Sequence, residues 1–212
     1  MKCRTIDKPG SYKLVNNLTF TGTTGTCLSI TASFVTIDLA GFTISGPGTS
    51  PPSFPTPNTT AIVAGDHTTG IAVRNGSISG FLLGVDLGGD GSIVEGLRVF
   101  GRGFSELGIA AKGIVKGNTV VGIAGGPGQG IGISATGIVT GNYVFSNRIA
   151  GLEIGQGSTV IGNTVTLSAG DGIGGIVVSC PSNVIDNTAV NNRGINLLLE
   201  GNGCNNTNNV AP

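Results

Sequence analysis

The chain predicts an all-β solenoid, in which short strands wind into stacked coils and each repeat supplies one coil. Two observations carry that expectation. The segment GIVKGNTV (113–120) returns as GIVTGNYV (137–144), STVIGNTV (158–165) and SNVIDNTA (182–189), and SIVEGLRV (92–99) has the same shape with Leu97 where the others carry Asn. A second motif runs in step with it: GVDL from 84, GIAA from 108, GISA from 132, GLEI from 151, GIVV from 175 and GINL from 194. The first motif begins at 92, 113, 137, 158 and 182, so its spacing alternates between 21 and 24 residues. A period of that length built from strand-like segments marks a solenoid, because one coil cannot bury its apolar side alone and stacked coils share a core.

Composition agrees. Of 212 residues 39 are Gly, only 10% are charged and Trp is absent. Glycine without a Gly-X-Y period, mixed with plentiful Val, Ile and Leu, excludes collagen and disorder and points to short strands joined by tight turns. Formal net charge is zero, so no basic stripe offers itself to nucleic acid. No apolar run approaches the ~20 residues of a membrane-spanning helix. The opening MKCRTIDKPG lacks the apolar core of a signal peptide.

Within each Gly-Ile strand, alternation sends Ile109 and Ala111, Ile133 and Ala135, Leu152 and Ile154, Ile176 and Val178 inward. The residue between them faces out, giving a column Asp86, Ala110, Ser134, Glu153, Val177, Asn196, with Ser29 and Val63 before it. In the other motif, Asn118, Asn142, Asn163 and Asn187 stand at a bend between strands. Asn tolerates the left-handed backbone of such a bend, and coils about 4.8 Å apart bring these amides into a ladder. Arg74, Glu95 and Lys116 follow Val73, Val94 and Val115 and form a surface ion ladder of alternating sign.

The Gly-Ile and Ile-x-Gly-Asn-x-Val repeats from about 84 to 200, together with PGSYKLVNNLTF and CLSITASFVTIDLAGFTISG at 9–46, resemble the right-handed parallel β-helix proteins of the pectate-lyase-like superfamily. The likeness is to its periplasmic carbohydrate-binding and sugar-hydrolysis repeat proteins. It implies a single domain over 1–212, a single-stranded right-handed parallel β-helix of about eight coils, and a polysaccharide or oligosaccharide partner. It is specific for fold and poor for function, since enzymes, adhesins and spikes share it. The stretch 46–60, GPGTSPPSFPTPNTT, holds five of the nine prolines and reads as a stiff loop insertion beside the groove.

Cys3 and Cys27 are separated by 24 residues, as are Cys180 and Cys204. Residues one coil apart lie close enough for a disulfide, so two staples, one at each end, are the natural pairing, with buried free thiols as the alternative. Disulfides point to a secreted or periplasmic location. His67 is the only histidine and no Cys-x-x-Cys occurs, which argues against zinc.

By the resemblance, chemistry sits on the outward face of the Gly-Ile strands and the loops leading into them. A lyase or epimerase of acidic sugars needs a base and cations that neutralise a carboxylate. The candidates are Arg102, Arg148, Asp171, Arg193 and Glu153 for catalysis, with Asp86, Lys112, Asn192 and Asn196 for substrate binding. Asp86, Asp90, Glu153 or Asp171 are the residues available to a Ca²⁺ ion. A glycoside hydrolase needs opposed carboxylates, yet Ala110 and Ser134 separate Asp86 from Glu153, about 14 Å by coil spacing. Neither adjacent aspartates of the polygalacturonase type nor a Tyr-Gly-Phe-Asp-Pro-His run occurs. Asp66-His67 is the only acid–histidine neighbour pair, and adjacent residues on a strand face opposite ways. A non-catalytic carbohydrate-binding, adhesive or structural module is the alternative reading.

Overall fold

A computed structural model describes residues 2–48, 58–101, 105–125, 129–168 and 173–212, with the side chain of Ile173 outside that description. All the strand pairings among these residues are parallel, and the coils form a β-solenoid of about eight turns. No helix occurs among the described residues. Each coil contributes strands to three faces. The first face carries Arg4–Ile6, Thr24–Ile30, Asn58–Ala64, Ala150–Ile154, Ile173–Ser179 and Ile195–Glu200, and the leading parts of Leu83–Phe100, Leu107–Lys116 and Ile131–Thr140. The strand Leu83–Phe100 runs on through the corners and pairs successively on all three faces.

The core follows from the register. On the first face Leu28, Ile62, Val85, Ile109, Ile133, Leu152 and Ile176 stack rung on rung, all fully buried. Val73, Val94, Val115, Val139, Val160 and Val184 do the same on the second face. Ile78, Val99, Val120, Val144 and Val165 do so on the third. β-Branched residues suit parallel strands buried on one side, and burial of each such side chain contributes roughly 1.5–3 kcal/mol. Polar residues take core register at the outermost rungs. Arg4 pairs with Leu28 and Tyr12 with Ile37, with the guanidinium 5.7 Å from the Tyr12 ring centroid, and Asn206 pairs with Val184.

The asparagine ladder is present and longer than expected. The Asn118 amide donates to Asn142 Oδ1 at 3.0 Å, Asn142 to Asn163 at 2.9 Å, Asn163 to Asn187 at 2.9 Å and Asn187 to Asn209 at 2.9 Å. The left-handed residue is not the Asn, as the sequence suggested, but the one before it. Gly96, Gly117, Gly141 and Gly162 have φ of 61–62°, and Asp186 has 54°. Glycine takes that conformation at no steric cost and leaves the Asn free to serve as a ladder residue. Gly141 has open space around its Cα, so only the backbone preference opposes a side chain there. Gly141→Ala is expected to cost about 1 kcal/mol and Gly141→Asn a few tenths, measurable as urea midpoints. Equal losses for the two would contradict this account.

The two disulfides join Cys3 to Cys27 and Cys180 to Cys204, one at each end. The ion ladder continues upstream, since Lys13 and Asp38 precede Arg74, Glu95 and Lys116 in the same column. Within it Lys116 bonds Glu95 at 2.8 Å and Arg74 approaches Asp38 at 3.9 Å. These exposed pairs contribute roughly 0–1 kcal/mol each.

One register expectation fails. Val177 pairs with Leu198, not Asn196, because the ladder shifts between Ile173 and Ile176. Gly175, ahead of Ile176, continues a column of Gly84, Gly108, Gly132 and Gly151. At all five of these a Cβ would run into the next coil's backbone or a third-face valine. Asn196 falls in register with this column, not with the groove column. The proline-rich stretch lies between the strands Thr43–Ser45 and Asn58–Ala64, and its residues 49–57 fall outside the described residues.

Candidate functional site

The outward residues of the first face stack in the order Ser29, Val63, Asp86, Ala110, Ser134, Glu153, Val177, Leu198. Two residues along each strand a second column runs beside it, containing Lys112, Thr136, Ser179 and Glu200. Ala110 and Ser134 are the low points between taller neighbours, and the result is an open groove of about 400 Å³ along the solenoid axis. Its polar lining is Asp66, Asp86, Lys112, Ser134, Thr136, Glu153, Ser179 and Glu200. The neighbouring small residues, Gly88, Ala110 and Gly155, keep the floor accessible.

Asp66 enters this groove from a turn. The strand Asn58–Ala64 ends just before Gly65, and the Thr68 hydroxyl and amide close the turn on the Gly65 carbonyl at 2.7 and 3.0 Å. The Asp66 carboxylate then lies where Gly88 has no side chain; a Cβ at Gly88 would collide with it. Lys112 Nζ reaches Asp66 Oδ1 at 3.8 Å, with both groups well exposed. In the sequence Asp66 stands out only as the neighbour of His67, because a turn's fold-back is not visible in strand periodicity. Glu200, Ser179 and Thr136 were missed as well. Their signal was available, two residues after the outward position on each strand.

Asp86 is partly buried in the groove wall. Burial pushes its carboxyl above the usual carboxylate range, and the negative charge of Asp66 pushes it the same way. The folded chain therefore holds this proton more tightly than the unfolded chain, and ionising Asp86 costs stability as pH rises through the raised value. Asp86→Asn is expected to stabilise the protein at about pH 7, with the gain vanishing below about pH 3.5, where both states are protonated. Paired thermal scans at the two pH values check this; an unchanged midpoint at neutral pH would contradict it.

The other candidates occupy different ground. Arg148 donates through Nη1 to the Gly125 carbonyl at 2.6 Å, in the turn between the third and first faces, and Arg193 is exposed in a later turn of the same series. Neither lines the groove. Arg102 and Asp171 lie outside the described residues. The Asn192 amide donates to Asn196 Oδ1 at 2.9 Å and to the Val165 carbonyl at 3.2 Å, while its Oδ1 accepts from the Ser168 N–H at 2.9 Å. Asn196 in turn donates to the Pro212 carbonyl. Both side chains are thus engaged in joining coils, and neither lines the groove.

Asp86 and Glu153 are three rungs apart, about 14 Å along the axis. That exceeds the ~5–9.5 Å separations used by retaining and inverting glycosidases. Among the described residues no group of three or more His, Cys, Asp or Glu is placed to hold a metal ion. What the groove offers is a row of hydrogen-bonding groups with net negative charge, four carboxyls against Lys112. No family model, curated protein or solved structure matches this chain.

Proposed function

We propose that this chain is a carbohydrate-binding member of the pectate-lyase-like β-helix proteins, acting outside the cytoplasm and holding an extended polysaccharide along its first face. The groove carries the reading: it runs along the solenoid axis and presents Asp86, Ser134, Glu153 and Ser179 on four of five consecutive rungs. Carboxylates and hydroxyls are suited to sugar hydroxyl groups, and an open cleft accepts an internal segment of a polymer. The two disulfides are compatible with an oxidising compartment.

The sign of the groove favours neutral or amino sugars over uronates. A polyuronate brought against Asp66, Asp86, Glu153 and Glu200 meets like charge, with Lys112 alone of opposite sign and already beside Asp66. Affinity electrophoresis through gels containing a neutral glucan, chitosan or polygalacturonate tests this. Retardation by the first two and free passage through the third is expected; retardation by polygalacturonate alone would overturn the preference.

A second reading is a sugar-modifying enzyme, and the proton affinity of Asp86 favours it, since a half-buried carboxyl of raised pKa is a suitable acid–base group. Release of unsaturated uronates, read by ultraviolet absorbance with and without Ca²⁺, would establish a lyase and displace the binding-module reading.

A further inference from the structure

Away from the groove, the outward surface of the third face carries aromatic rings that packing does not account for. Two columns run along it. One reads Arg98, Thr119, Tyr143, Thr164 and the other Phe100, Val121, Phe145, Thr166. Tyr143 and Phe100 are 43% and 40% exposed, and neither they nor Phe145 belong to the core cluster or pack against it. The Tyr143 and Phe145 rings stand side by side on one strand, centroids 6.3 Å apart and 16° from parallel. Phe100 is two rungs from Phe145 in the same column, about 10 Å along the axis. Elsewhere on this face threonine and serine fill equivalent positions, as at Ser79, Thr119, Thr164 and Thr166, so the fold itself requires no aromatic ring there.

We propose that this surface is a second binding platform, which takes an uncharged polysaccharide with its sugar rings lying flat on Tyr143, Phe145 and Phe100. Three features select that partner. The rings offer flat apolar faces to the C–H faces of pyranose rings, and near-parallel rings on a regular sheet meet a flat ligand without rearrangement. Thr119 and Thr164 flank Tyr143 and supply hydroxyl groups at the coil spacing. Arg98 is the only charge in the two columns, in contrast to the four carboxyls of the groove, so a neutral chain pays no electrostatic cost. Exposed aromatics on a rigid scaffold are also the residue type that dominates binding surfaces.

The test uses the full chain and depletion from suspensions of microcrystalline cellulose and of chitin. Native protein is expected to adsorb to at least one of them. Tyr143→Thr with Phe145→Thr, which installs the residues that neighbouring rungs already use, is expected to weaken adsorption at least tenfold while circular dichroism and the thermal midpoint remain near native. Tyr143→Phe is expected to adsorb like native protein, and so is Lys116→Gln, which alters the second face, away from both the groove and the rings. Retention of adsorption in the threonine variant, with its loss in the groove variant Asp86→Asn with Glu153→Gln, would overturn the platform and leave the groove reading standing. Failure of native protein to adsorb to either surface would overturn it too. So would a native dimer, seen by sedimentation, that the threonine variant dissolves, because the rings would then serve contact between two copies.

Discussion

Asn142→Ala is expected to lower the stability of this protein by about 3 kcal/mol, among the largest losses available to a single side chain. Asn142 lies in the middle of the amide ladder and is 2% exposed. Its Oδ1 accepts from both the backbone N–H and the side-chain amide of Asn118, each at 3.0 Å. Its own amide donates to the Val115 carbonyl and to Asn163 Oδ1, both at 2.9 Å. Truncation leaves two buried donors on Asn118 and an under-satisfied carbonyl at Val115. Each buried orphan costs roughly 1–3 kcal/mol, and the loss is transmitted because every amide in the row orients the next. Asn205→Ala, at an exposed position on the last strand, is the control and should stay within about 0.5 kcal/mol of native. Urea unfolding at constant m-value reads both. A loss below 1 kcal/mol at Asn142 would mean that the ladder decorates the corner rather than holding it.

Removing the C-terminal staple has the second large effect. Cys180 and Cys204 enclose a segment with a sequence separation of 24, for which the chain-entropy account gives about 3.5 kcal/mol. The loss should be local before it is global. In a solenoid each coil touches only its neighbours, so an unpinned end frays first. Among the described residues the strand Asn205–Thr207 pairs only with Asn183–Ile185, and its three residues are exposed. In Cys180→Ala with Cys204→Ala, amide exchange in 195–207 is therefore expected to accelerate well before exchange at Val139 or Val144. Uniform acceleration along the chain would show that the staple acts on the whole domain as one cooperative unit.

Much of this architecture was legible in the sequence, for a physical reason. A coil spacing near 4.8 Å makes any residue recurring once per period a spatial neighbour of its copies. The asparagine row, the inward Ile and Val columns and the pairing of Cys3 with Cys27 and Cys180 with Cys204 all follow from that single fact. The reading broke down where the period changes. Asn196 aligns with Gly175 instead of Val177 because the register shifts in the strand that begins at Ile173, and counting from one Gly-Ile motif to the next does not reveal a shift inside a strand.

The site was less legible than the scaffold. Asp86, Lys112 and Glu153 could be placed on the groove because they fall on regular strands. Asp66 could not, since its reach depends on the turn closed by Thr68. Arg148 looked like a free cation in sequence, yet its guanidinium is bonded to the Gly125 carbonyl. Asn192 looked like a ligand for substrate and is instead a rung of a second amide row. The aromatic rings of the third face escaped notice because Phe100 and Tyr143 sit in strands whose alternation, taken alone, does not tell an exposed face from one covered by a loop.

The proposed function places an extended sugar chain in the first-face groove. Backbone amide resonances of the isotopically labelled protein, followed while a neutral glucan oligosaccharide is added, test it most directly. Saturable shifts centred on Ala110 and Ser134 and extending to Asp86, Glu153 and Ser179 are expected. If those amides stay fixed at saturating oligosaccharide, whether or not the third face responds, the groove is not the binding site and the claim is wrong.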